Sequence, residues 1–113
     1  MIMAYKPYIP QNVGEVLDKV RSMMLGSPEF KDDTGYLPGQ NIDTTFFSLN
    51  EGLRVIREKL GEERYMRLRA VSDQMRALFD SDPDDTNGGA KAGRKLIREM
   101  EEILKSAAKR RPS

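Results

Sequence analysis

Residues 43–79 read DTTFFSLNEGLRVIREKLGEERYMRLRAVSDQMRALF, and their spacing decides the fold. Phe46, Leu49, Leu53, Ile56 and Leu60 recur three or four positions apart, the period that lines one face of an α-helix. Gly61 interrupts the pattern. It resumes with Tyr65, Leu68, Ser72, Met75 and Phe79, widened by Val71 and Leu78. Asp43 is the expected cap of the first of these helices, and Glu62 and Glu63 suit the positive N-terminal end of the next. A turn as short as one at Gly61 predicts an antiparallel helical hairpin.

In such a hairpin, residues equidistant from Gly61 face one another. Asn50 and Ser72 are equidistant from it, and both are polar on otherwise apolar stripes. Buried polar groups need partners, so the register predicts a hydrogen bond between them with a structural role.

Outward from the hairpin the same reading continues. Upstream, residues 1–11 form an expected extended arm, because Pro7 and Pro10 cannot sit inside a helix. Asn12 then caps a helix whose stripe is Val13, Val16, Leu17, Val20 and Met24, with Glu15 at capping-box spacing and Gly26 as the stop. Residues 27–43 are a long loop holding Phe30, Tyr36 and Leu37, and loops of that length are either packed down or functional. Downstream, Asp80 to Gly89 is a polar connection. A last helix runs from about Ala90 to Lys109, with Leu96, Ile97, Met100, Ile103, Leu104 and Ala107 inward. Ala90 and Gly93 leave room at its start for another helix to come close, and residues 109–113 are an expected frayed tail. No segment alternates with the period of a strand. The expectation is all-α: a small bundle of four main helices with an extended N-terminal arm and a central hairpin, one domain over residues 1–113.

Composition bounds the chemistry. The 113 residues include no Cys and no His, which excludes imidazole-activated nucleophiles and zinc sites built on thiolate or imidazole. A cysteine-free chain fits a reducing compartment, and the expected location is the cytoplasm. The N-terminal ten residues lack the apolar core of a signal peptide, and no 18 apolar residues stand in a row. Net charge is +1, less than a dedicated nucleic-acid binder usually carries.

Two motifs come near to known sites and break. Gly88 and Gly93 have phosphate-loop spacing, but Arg94 and Lys95 stand where Lys and Ser or Thr belong. Asp80, Asp82 and Asp84 alternate as in a calcium loop, but Asp85 and Lys91 replace its glycine and its bidentate Glu. No cofactor, metal or catalytic residue is therefore expected.

Helices two and three carry Arg54, Arg57, Arg64, Arg67, Arg69 and Arg76 among Glu58, Glu62, Glu63 and Asp73, the pattern of a solvated face laced by ion pairs. The leading function is a non-catalytic protein-binding or regulatory domain, a small immunity-type protein being its most specific form. Its expected surface is Phe30, Tyr36 and Leu37 with Arg54 and Arg57 beside them, since aromatic and arginine side chains anchor interfaces. The alternatives are a nucleic-acid-binding regulator using those arginines, and a self-associating structural protein joined through its arm.

Overall fold

A computed structural model describes residues 7–30 and 40–108. Among them are five helices and no strand: α1 (Val13–Gly26), α2 (Ile42–Val55), α3 (Arg57–Leu60), α4 (Glu62–Asp80) and α5 (Gly89–Ala108). Four are long, and α3 is a single turn between α2 and the Gly61 hinge. The expected all-α bundle is what the chain forms. Residues 1–6 of the arm, Tyr36 and Leu37 of the loop, and the tail at 109–113 lie outside the described residues.

Helix α1 starts as its sequence dictates. The Asn12 side chain accepts from the Glu15 N–H at 2.8 Å. Glu15 reaches one residue further back than a capping box, accepting from the Gln11 N–H at 2.8 Å and the Tyr8 hydroxyl at 2.7 Å. Those two donors, Gln11 first, hold its carboxyl below the usual range. The arm is thereby tied to the helix it precedes.

Helix α2 departs from expectation at both ends. Its cap is Asn41, not Asp43: Asn41 Oδ1 accepts from the Thr44 N–H while Thr44 Oγ1 accepts from the Asn41 N–H, both at 3.0 Å. That reciprocal pair satisfies two donors, which a lone Asp43 cap would not. At the other end the helix breaks at Ile56 (φ −96°, ψ 10°), with no glycine or proline to announce it. Gly61 then takes φ +84°, where a side chain would be strained, and α4 begins at once.

Helices α2 and α4 pack against each other, and α5 packs on both α4 and α1. One core joins them, and of the stripe residues of the central hairpin only Ser72 and Leu78 are not among its apolar members. Ser72 is fully buried, and its hydroxyl donates to Asn50 Oδ1 at 2.7 Å, the pairing expected from the register. The bond spares the hydroxyl a desolvation cost of about 1–3 kcal/mol.

Phe30 is also in the core, 2% exposed. Its φ of +59° turns the chain back after α1, and the ring meets Phe46 and Phe79 edge-on at 5.8 and 5.2 Å. The expectation that Phe30 contacts a partner is therefore corrected: this end of the loop is packed down.

Asp82 organises the α4–α5 connection from within. It is 1% exposed. Oδ1 accepts from the Thr86 and Asn87 N–H groups at 2.7 and 3.1 Å, and Oδ2 from the Ala90 N–H, in the first turn of α5, at 2.9 Å. The Ala90 N–H foremost, then those of Thr86, Asn87 and Gly89, hold the carboxyl below its ordinary range against the opposing effect of burial.

A depressed carboxyl contributes stability that is present above its unfolded pKa and lost as pH falls through the folded one. Wild type and Asp82→Asn should therefore differ by a constant amount above about pH 5, and the gap should close as pH falls below about 4. Urea midpoints measured from pH 7 to pH 2 check this; a gap independent of pH would contradict the capping role.

Candidate functional site

Helix α2 has two faces. Thr45, Phe46, Ser48, Leu49, Gly52 and Leu53 are buried. Asp43, Phe47, Arg54 and Val55 are exposed, and Phe47 is 55% so, high for an aromatic side chain. The arm crosses the edge of this helix. Ser48 Oγ donates to the Tyr8 carbonyl at 2.6 Å. Gly52 admits the Pro10 ring, which a Cβ there would approach to 3.1 Å.

Between arm, α2 and α4 lies a cleft of about 910 Å³. Pro7, Ile9 and Phe47 supply its apolar lining, and Asp43, Thr44, Asn50, Glu51, Arg69 and Arg76 the polar part. The acidic groups are committed. Asp43 pairs with Arg76, which also reaches Asp80 at 3.4 Å, and Glu51 pairs with Arg54 at 3.4 Å.

Arg69 is different. Its one carboxylate neighbour among the described residues is Asp73, at 3.9 Å from a terminal nitrogen. Its Nε is buried with no hydrogen-bond partner among them. An unpaired buried donor costs about 1–3 kcal/mol, more when charged. Beside it in the lining, Asn50 spends its carbonyl oxygen on Ser72. Of the two, only the Arg69 Nε is buried without an acceptor among the described residues.

Among the described residues, those expected to form a partner surface do not share one face. Phe30 is in the core, and Tyr36 and Leu37 lie outside the described residues. Arg54 is exposed next to the cleft. Arg57 braces the hairpin turn: its Nε donates to Glu62 Oε1 at 2.9 Å, and its guanidinium lies 4.4 Å from the centre of the Tyr65 ring. Sequence reasoning passed over Phe47 and named Arg69 only among the arginines of the charged faces. The signal for Phe47 was present, since it falls off the Phe46–Leu60 stripe and onto the charged face.

The two broken motifs have other occupations. Gly93 is pressed against the Phe79 ring. Arg94 donates to Ser27 Oγ at 2.9 Å and to Asp85 Oδ2 at 2.5 Å, tying the end of α1 to the connection before α5. Among the described residues no cluster of acidic side chains is arranged to hold a metal ion, and no helix is long and apolar enough to cross a membrane. The described residues thus form an all-helical fold with a semi-apolar groove between arm, α2 and α4. Comparison with protein-family models, with curated proteins and with solved structures finds no match to this chain.

Proposed function

We propose that the chain is a non-catalytic binding domain that receives a segment of a protein partner in the cleft between arm, α2 and α4. The exposed Phe47, lining the same groove as Arg69, carries this reading. Aromatic and arginine side chains are the usual anchors of interfaces, and here they share one groove. A small regulatory protein of the immunity type, acting in the cytoplasm by occupying its partner, is a form of this function that needs no catalytic group. The arginines from α2 to α4 favour it over nucleic-acid binding: Arg54, Arg57, Arg69 and Arg76 are each paired with a carboxylate.

Affinity capture from source cells with wild type and Phe47→Asp tests the proposal. Phe47 is exposed, so the variant should keep the helical circular dichroism of wild type. At least one protein should be retained by wild type and lost by the variant. An identical captured set would sink the proposal. Captured material that is nucleic acid, and that elutes steeply with salt, would favour the alternative.

A further inference from the structure

We propose that the N-terminal arm is a strap that builds the cleft, so that lifting Pro10 from its seat on Gly52 switches binding off. The inference rests on the binding function proposed above and names how that same site is regulated.

Alternate residues of the arm have different tasks. Pro7 and Ile9 form the arm's side of the cleft. Tyr8 and Pro10 fasten the arm to the helices. The Tyr8 carbonyl accepts from Ser48 Oγ of α2 at 2.6 Å, and the Tyr8 hydroxyl donates to Glu15 of α1 at 2.7 Å. Pro10 is buried, and a Cβ on Gly52 would lie 3.1 Å from three atoms of its ring. Successive side chains of an extended segment point to opposite sides, so a short stretch supplies both a fastening and a wall.

The strap is held differently from the bundle. Among the described residues, 7–11 share no backbone–backbone hydrogen bond with the rest of the chain. The hydrophobic core that joins the helices contains no described residue of the arm. Segments held by a few side-chain contacts open at far less cost than the helices unfold. When the arm lifts, the bundle keeps its core and the cleft loses Pro7 and Ile9. Phe47, Asn50, Glu51 and Arg69 then lie on an open helical face, which buries less of any occupant than a groove does.

The chain has no cysteine, so the strap can be locked by a single engineered bond. The Pro10 Cβ and a Cβ at residue 52 lie 3.1 Å apart, slightly closer than a disulfide spans. Pro10→Cys/Gly52→Cys should therefore close an intramolecular disulfide when the native protein is mildly oxidised. Gly52→Val does the opposite, driving methyl groups into the Pro10 ring while removing a glycine from α2. The probe is the set of proteins from source cells that wild type retains and Phe47→Asp loses. The locked protein should retain them. Gly52→Val should hold them at least about fivefold more weakly, the lower end of couplings between linked sites. Its helical circular dichroism should match wild type; if it does not, Ser48→Ala, which frees the Tyr8 carbonyl, decides by the same criterion.

A disulfide that fails to form, a locked protein that no longer binds, or full retention by the folded release variant would each overturn the strap. Loss in Phe47→Asp would still leave the cleft a binding site in those cases. Retention unchanged in Phe47→Asp would remove the proposed function, and the strap's role with it.

Discussion

Phe79→Ala is expected to cost about 3–5 kcal/mol, the usual range for removing a fully buried aromatic side chain. Phe79 is 1% exposed, and three other parts of the chain meet at its ring. Phe30 approaches edge-on at 5.2 Å and Phe46 lies tilted at 6.5 Å. The backbone of α5 presses on it at Gly93. Removing the ring therefore loosens α2, α4, α5 and the turn after α1 together, and the cavity cannot close by moving one side chain. Edge-to-face contacts add about 0.5–1.5 kcal/mol per pair beyond area. Domains of this size are stable by about 5–15 kcal/mol, so the variant should lose a large fraction of its stability. Urea denaturation gives the number; a loss below about 1.5 kcal/mol would mean that the site repacks and is not a joint.

That joint also explains what the sequence disclosed and what it did not. Helical period and capping residues are local signals, and α1, the α4 stripe and the buried face of α5 were legible from them. The Asn50–Ser72 bond was legible too, because a tight hairpin converts spacing along the chain into proximity. The break at Ile56 was not, since neither glycine nor proline marks it. The Asn41 cap was missed because Asp43, two residues on, is an equally good local candidate. Only the reciprocal bond with Thr44 decides between them.

Phe30 and Phe47 show the limit most clearly. Both are phenylalanines, one in a loop between Glu29 and Lys31 and one on a helix after Phe46, and the loop invited suspicion. Yet Phe30 is buried by a backbone turn with positive φ, a conformation not encoded by any glycine. Phe47 is left outside because its neighbour Phe46 takes the inward position. Which aromatic faces the solvent is a property of packing among elements. The unpaired Nε of Arg69 is likewise visible only once α2 and α4 are set side by side.

Gly93→Ala should destabilise the protein even though alanine is the better helix former. The propensity gain is about 1 kcal/mol. Against it, a methyl at Gly93 would stand 2.6 Å from Phe79 Cε1 and 2.7 Å from Cζ, closer than carbon atoms can approach. Phe30 and Phe46 hold the ring from other sides, so it has little room to retreat. Overpacking of this kind costs about 1–3 kcal/mol, enough to reverse the sign of the propensity term. The decisive measurement is the double-mutant cycle with Phe79→Ala. Once the ring is gone the clash is gone, the methyl fills part of the cavity, and the helix propensity gain remains. Gly93→Ala should then stabilise the Phe79→Ala background while weakening wild type. If its effect has the same sign in both backgrounds, the close approach of α5 to α4 is not what requires glycine at this position.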